Sequence, residues 1–253
     1  MNALVAATLA PHCAACAGVL DAPLDGPVCS ACWNAVRLCT PPFCRTCGDP
    51  LPSWRAVSLA LEQCARCRRR PPLFHAGRTA AEYEGALRNI LLAFKYDDRR
   101  VLARPLGALL RRAGTEVLHG ADCVVPVPLH AWRRLGRGFN QADALARHLG
   151  APVVRALWRI RATPPQTGLT AAARRLNVRG AFRISPLLSR QAREQWLEAR
   201  IVVLVDDVRT TGATLNACAA ALQRAGTREV RVLTLARAAP LEVAKSRASG
   251  ASS

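Results

Sequence analysis

Val202-Val203-Leu204-Val205-Asp206-Asp207-Val208-Arg209-Thr210-Thr211-Gly212-Ala213-Thr214 decides how the rest of the chain is read. Aliphatic residues run into two adjacent carboxylates, followed by two hydroxyls, a glycine, a small residue and a third hydroxyl. That order predicts a buried strand, an acidic strand end and a tight loop opening a helix. Such a unit binds phosphate, because loop N–H groups and the helix N-terminus converge on the anion. Two carboxylates repel an anion, so Asp206 and Asp207 are expected to face sugar hydroxyls, a metal, or both. A ribose 5-phosphate with Mg²⁺ nearby meets both demands. The competing reading is an aliphatic strand capped by ordinary turn residues, since the same residue types make turns.

Outward from this stretch, strands and helices alternate. Helical spacing of Leu87, Ile90, Leu91 and Phe94 predicts a helix behind Gly85 that ends in Phe94-Lys95-Tyr96-Asp97-Asp98, and a second helix is expected over 102–112. Asp122 to Pro128 reads as a buried strand ended by prolines. The loop after it holds Arg133, Arg134 and Arg137 with Gly136 and Gly138, an anion-site composition at a strand's C-terminal end. A helix is expected over 140–148, a short strand over 153–157, then a long polar segment over 158–180. A strand over 201–205, a helix over 212–225 capped by Gly226, and a strand over 230–235 complete the pattern. Alternation of this kind implies an α/β parallel sheet flanked by helices, with ligands at the strands' C-terminal ends.

The chain has 253 residues and a formal net charge of +19, with a pI near 11.0. Lys95 and Lys245 are its only lysines; every other basic residue is arginine. The charge suggests an anionic partner such as nucleic acid or polyphosphate, although GC-rich codon usage also enriches arginine. Residues 122–183 hold eleven arginines and only Asp122 and Asp143 as acids, a bias that codon usage explains less well. No apolar run approaches the roughly 18–20 residues of a membrane span. The first ten residues lack the basic start of a signal peptide. A cytoplasmic location with reduced or metal-bound cysteines is the expectation.

Nine of the eleven cysteines lie within the first 67 residues. Eight form four C-x₂-C pairs: Cys13/Cys16, Cys29/Cys32, Cys44/Cys47 and Cys64/Cys67. Two thiolates three residues apart in a tight turn share one zinc, and two such knuckles complete a tetrahedral Cys₄ site. Sequential pairing gives two structural zinc ribbons, Cys13/Cys16/Cys29/Cys32 and Cys44/Cys47/Cys64/Cys67; a crossed pairing of Cys13/Cys16 with Cys44/Cys47 stays open. Cys39 is a spare, either core or substitute ligand. Cys123 and Cys218 sit in apolar stretches as small core residues. Arg68-Arg69-Arg70-Pro71-Pro72 reads as a stiff linker, dividing a double ribbon (1–70) from an α/β domain (71–240) and a disordered tail (241–253).

Taken together, the double ribbon, Phe94-Lys95-Tyr96, Pro126-Val127-Pro128-Leu129-His130, Arg137-Gly138-Phe139-Asn140-Gln141, Pro164-Pro165-Gln166-Thr167-Gly168-Leu169, the run from Arg174 to Phe182 and the Asp206–Thr214 stretch resemble the ComF (ComFC) family of competence-associated, type I phosphoribosyltransferase-like proteins. The resemblance covers about residues 11–237. It implies a phosphoribosyl pyrophosphate (PRPP) site at Asp206, Asp207, Arg209, Thr210, Thr211, Gly212, Ala213 and Thr214, with the acids on the ribose hydroxyls and Mg²⁺ accompanying PRPP. It further implies pyrophosphate contacts from Arg133, Arg134, Arg137 and Gly138. Arg161, Gln166 and Arg175 then become catalytic candidates on a loop that closes over PRPP. The implied role is uptake or handling of single-stranded DNA beside a competence helicase, with an unknown acceptor if the protein is a transferase. The rival reading is a non-enzymatic zinc-ribbon module that binds single-stranded DNA or a helicase and keeps PRPP as a sensory ligand.

Overall fold

A computed structural model describes residues 11–51, 62–96, 99–129, 138–161, 178 and 180–238. Strands β1 (Ala76–Glu82), β2 (Cys123–Pro126), β5 (Ile201–Arg209) and β6 (Glu229–Arg237) form a sheet in the order β1-β6-β5-β2, with every pairing parallel. Strands β3 (Leu157–Arg159) and β4 (Phe182–Ile184) make a separate antiparallel pair. The described helices are α1 (Ser30–Asn34), α2 (Ala65–Arg69), α3 (Gly85–Tyr96), α4 (Ala103–Ala113), α5 (Thr115–Leu118), α6 (Gln141–Ala146), α7 (Arg190–Trp196) and α8 (Ala213–Gln223).

The sheet is parallel, its strands joined by crossovers whose helices cover both faces, and its central strands are accordingly apolar on both sides. Val202, Val203, Leu204 and Val205 are all fully buried. Side-chain alternation splits them between two cores. Val203 and Val205 join Leu233, Leu235 and Val124 under Leu87, Ile90, Leu91 and Phe94 of α3 and Leu106 and Leu110 of α4. Val202 and Leu204 join Cys123, Val125, Val230 and Val232 under Leu215, Cys218 and Leu222 of α8. Each fully buried leucine or phenylalanine here contributes about 1.5–3 kcal/mol relative to its exposed state.

Each ribbon is built into one of these cores. Cys13, Leu20, Val28 and Cys32 belong to the α3 side; Cys44, Cys47, Cys67 and Phe74 belong to the α8 side. Between the ribbons, Leu38 bridges Ala81 antiparallel and Cys39 N–H donates to the Ala80 carbonyl at 2.9 Å, so this connection covers the outer edge of β1. The segment read as a stiff linker leads into residues that are pinned. Leu73 N–H donates to Asn216 Oδ1 at 3.0 Å, Gln223 Nε2 donates to the Leu73 carbonyl at 2.7 Å, and His75 N–H donates to the Val230 carbonyl.

Several local expectations need correction. The strand over 153–157 reduces to one parallel bridge from Val153 to Val124; the chain becomes a strand only at Leu157, paired with Ile184. Strand β1 was not anticipated, because Ala76-Gly77-Arg78-Thr79-Ala80-Ala81-Glu82 has weak strand propensity and is extended by pairing with β6. Helix α7 was missed because none of its residues is buried, so no apolar stripe marks it. Its start is set by Ser189, whose Oγ accepts from Ala192 N–H at 3.1 Å. Strand β5 runs on through both acids to Arg209 rather than ending at Val205.

Candidate functional site

The C-terminal end of β5 is where the chemistry collects. Consecutive strand residues point to opposite faces, and the two acids follow that rule. Asp207 faces the α3 side, where Lys95 Nζ lies 2.6 Å from its Oδ2; both side chains are largely buried. Lys95 also sits 6.0 Å from the Tyr83 ring centroid. Asp206 faces the α8 side above the buried Cys218. Burial, then the adjacent Asp207 charge, raises its carboxyl from the ordinary 3.8 to about 8, against the opposing pull of the Asp207 N–H and Lys95. Asp207 N–H donates to Asp206 Oδ1 at 2.9 Å and Val208 N–H to Asp207 Oδ1 at 2.6 Å, so each carboxylate is held by the backbone that follows it. Burial, with the Asp206 charge adding to it, keeps the Cys218 thiol protonated.

Beyond Arg209 the chain turns through Thr210 and Thr211 to Gly212, which has φ +75° and caps α8 in the left-handed region. No heavy atom lies within 4 Å of a Cβ built there, so glycine is required by backbone conformation rather than by crowding. Ala213 is buried as the first helical residue, its N–H directed at Thr211 Oγ1 at 3.4 Å, and Thr214 lies in the first turn. The 11-residue helix α8 thus aims its positive dipole end at the loop. Half-buried hydroxyls, open space over the glycine and a helix N-terminus are the features with which a loop can seat an anion, and the two acids lie just upstream of them.

Arg209 departs from the expectation of a PRPP-binding side chain. Its guanidinium is buried, ion-paired to Asp49 of the second ribbon and 3.2 Å from Thr79 Oγ1. A buried guanidinium needs a carboxylate partner, and the ribbon supplies it. Exposed pairs such as Arg37–Glu84 and Arg190–Glu194 contribute only about 0–1 kcal/mol. Stranding one partner of Lys95–Asp207 or Arg209–Asp49 costs more, about 3–5 kcal/mol where burial is complete.

Gly138, at φ +69°, lies beside Arg100, whose guanidinium stacks 5.2 Å from the Phe139 ring centroid. Phe139 meets Phe94 edge-on at 5.3 Å. Asn140 ties this turn to β2 by donating from Nδ2 to the Val127 carbonyl at 3.0 Å, and its Oδ1 caps α6 by accepting from Ala142 N–H. Arg161 is exposed just past β3. Arg133, Arg134, Arg137, Gln166 and Arg175 lie outside the described residues. Sequence reasoning left Lys95 without a role and did not single out Arg159, which is 8% exposed, stacks 5.4 Å from the Phe182 centroid and acts electrostatically on Cys218. One of only two lysines in an arginine-rich chain is the signal that could have drawn attention to Lys95. Arg159 carried none.

The cysteines assemble sequentially. Sγ atoms of Cys13, Cys16, Cys29 and Cys32 lie within 4.8 Å of one another, and those of Cys44, Cys47, Cys64 and Cys67 do the same; the crossed pairing is excluded. Four thiolates at about 2.3 Å from one zinc stand about 3.8 Å apart. The observed separations of 3.9 Å (Cys13–Cys32), 3.9 Å (Cys16–Cys29) and 3.7 Å (Cys47–Cys64) match. Backbone N–H groups of Ala15 and Cys29 donate to Cys13 Sγ at 3.4 Å, and that of Cys64 donates to Cys44 Sγ at 3.3 Å, contacts that favour thiolate. Both clusters therefore fit tetrahedral structural zinc. Cys39 belongs to neither: burial, then Glu82, pushes its thiol up to about 12. Cys123 and Cys218 are fully buried core residues.

This geometry agrees with the families that match. The phosphoribosyl transferase domain model matches residues 135–248, and the double zinc ribbon domain model matches residues 4–68. Fold and site together define a phosphoribosyltransferase-like protein with an N-terminal double zinc ribbon. Competence protein F of Haemophilus influenzae is 31% identical over 237 residues, covering 90% of this chain and 97% of that protein. The DNA utilization protein YhgH of Escherichia coli K12 is 33% identical over 223 residues, covering 83% and 90%, and competence protein ComFC of Bacillus subtilis is 27% identical over 206 residues, covering 80% of each. The chain belongs to the ComF family of competence-related, phosphoribosyltransferase-like proteins. Among the described residues no helix is long and apolar enough to cross a membrane.

Proposed function

We propose that the end of β5 and the start of α8 bind PRPP with Mg²⁺, and that the protein uses this site in handling single-stranded DNA in the cytoplasm. The observation that carries the reading is the acid pair Asp206–Asp207 leading directly into the Gly212 turn and the N-terminus of α8. Thr210, Thr211, Thr214 and the loop N–H groups would hold the 5-phosphate. The acids would accept from ribose hydroxyls or hold Mg²⁺, a hard cation suited to carboxylate oxygen, which would supply charge neutralisation on the pyrophosphate. Lys95 Nζ holds Asp207 Oδ2 at 2.6 Å and so orients the carboxylate before ligand arrives. Arg133, Arg134 and Arg137, by family resemblance, would take the pyrophosphate. Arg161, Gln166 and Arg175 would serve on the closing loop, which excludes water and so suppresses hydrolysis.

Transfer of the ribosyl group to an acceptor would draw on positioning and on charge neutralisation at the leaving group. The DNA arm of the proposal draws on the names of the relatives, competence protein and DNA utilization protein, and on the net charge of +19.

The test is pyrophosphate release from PRPP and Mg²⁺ across bases, nucleosides and single-stranded DNA, run beside direct PRPP binding. The double variant Asp206→Asn/Asp207→Asn should lose PRPP binding at least tenfold while keeping both zinc ions and a cooperative melt. Acceptor-dependent release that vanishes in this variant makes the protein a transferase. Binding without release under any acceptor assigns it as a PRPP-sensing module. Unchanged PRPP affinity in the double variant rules out the site.

A further inference from the structure

We propose that Asp49 is a positioning residue for the phosphate loop, through which the second zinc ribbon and the PRPP site are thermodynamically coupled. The proposal rests on the reading of the β5–α8 loop as the PRPP site.

Asp49 follows the knuckle cysteine Cys47 by two residues, and three guanidinium groups converge on its carboxylate. Arg66, from α2 of the same ribbon, donates at 2.8 Å to Oδ2. Arg209 pairs with Oδ1, and Arg237 Nη1 lies 3.5 Å from the same oxygen. The carboxylate thus joins the ribbon to the ends of β5 and β6. Arg209 is the last residue of β5, and the next three residues are Thr210, Thr211 and Gly212. Its side chain is 2% exposed, and its described partners are Asp49 and Thr79. Thr79 is itself held by Thr234 Oγ1 at 2.8 Å. A guanidinium so enclosed goes where its carboxylate goes, because separating them leaves a buried charge uncompensated.

The carboxylate in turn goes where the zinc ligands go. Cys44 N–H donates to the Asp49 carbonyl and Gly48 N–H to the Cys44 carbonyl, each at 2.8 Å, closing the knuckle around the ligand pair. Cys47 Sγ lies 3.4 Å from Asp49 Oδ2. The knuckle is seated on the sheet backbone to backbone: a Cβ on Gly48 would stand 2.3 Å from the Gly77 carbonyl oxygen, and one on Gly77 would stand 3.0 Å from that of Cys47. At both glycines the nearest atoms across this contact are backbone, which has little freedom to absorb a shift. The first ribbon packs instead against α3, where Asn89 Nδ2 donates to the Ala15 carbonyl.

Coupling between two binding equilibria is reciprocal, so ligand in the phosphate loop must raise the second ribbon's zinc affinity by the factor by which that zinc raises PRPP affinity. The experiment titrates the full-length protein with a chromogenic chelator to equilibrium, with and without PRPP and Mg²⁺, and measures PRPP binding by calorimetry on the same samples. PRPP should raise the apparent affinity for one of the two zinc ions by about fivefold or more. The effect should persist in Cys16→Ser, which removes a ligand of the first ribbon alone. It should disappear in Asp49→Asn and in Arg209→Gln while PRPP still binds. PRPP that binds the wild type without altering zinc affinity overturns the coupling and leaves the PRPP site standing. A gain in zinc affinity that is lost in Cys16→Ser overturns the assignment to the second ribbon. Absence of PRPP binding in the wild type removes the site reading and the coupling with it.

Discussion

Asp206 and Asp207 are neighbours in sequence with opposite environments. Asp207 has a cation at 2.6 Å, whereas Asp206 faces the apolar side and is raised to about 8. A carboxyl whose folded pKa lies above its unfolded value of about 4 favours the fold most when protonated. Its contribution is fully present below about pH 4 and is lost as pH rises through about 8. Asp206→Asn, which mimics the protonated form, should be more stable than wild type at pH 9 by at least about 2 kcal/mol. The difference should shrink toward pH 5, as read by urea denaturation across that range. Equal stability at pH 9 would mean that Asp206 is solvated. The same titration bears on function: if the ribose hydroxyls need the carboxylate, binding expels a proton, and PRPP affinity should increase from pH 6.5 to 8.5.

Two glycines serve the two elements that meet at the site, for different reasons. Gly212 has φ +75° and open space around it, so Gly212→Ala adds only left-handed strain, about 1–2 kcal/mol. PRPP affinity should fall with the loop's altered path, while melting shifts by only a few degrees. Gly48 has φ +70° and the Gly77 carbonyl 2.3 Å from a built Cβ. Gly48→Ala must displace the knuckle from β1 and should cost about 3 kcal/mol. Circular dichroism melts of the two variants check the order; a Gly212→Ala melt as depressed as that of Gly48→Ala would mean that the loop, rather than the ribbon contact, holds the strand end. Helix α3 is the third element of the site. It sets four large apolar residues, Leu87, Ile90, Leu91 and Phe94, against the sheet and delivers Lys95 from its last turn to Asp207.

Across the whole molecule, the ribbons are part of the sheet's two cores, one on each face. Chelation of zinc should therefore lower the stability of the entire protein, including the proposed PRPP site, as followed by melting with and without chelator. The net charge of +19 makes a second demand. Single-stranded DNA bound through its phosphates should dissociate steeply as salt rises from 50 to 200 mM. PRPP binding should instead follow Mg²⁺ concentration, and fluorescence titrations over both variables separate the two.

The β5 stretch, the four C-x₂-C pairs and the α/β alternation were readable because each is local. An aliphatic run, a thiol spacing and a Gly-opened helix carry their meaning within a few residues. Strand β1 was not readable, because Ala76–Glu82 becomes extended only when β6 and the Leu38 segment pair with it. Helix α7 was not readable, because its helical residues bury no face. Arg209 illustrates the limit within the site itself. Its position beside the loop suggested a ligand contact, and its partner, Asp49, lies 160 residues away in sequence. The amino-acid sequence by itself determined the parallel sheet, the zinc ligands and the acidic strand end, since these follow from local pattern. The tertiary structure alone decided which cysteines share a metal, which acid meets a lysine and which arginine is sequestered, since buried charge is settled by whatever partner the fold brings within reach.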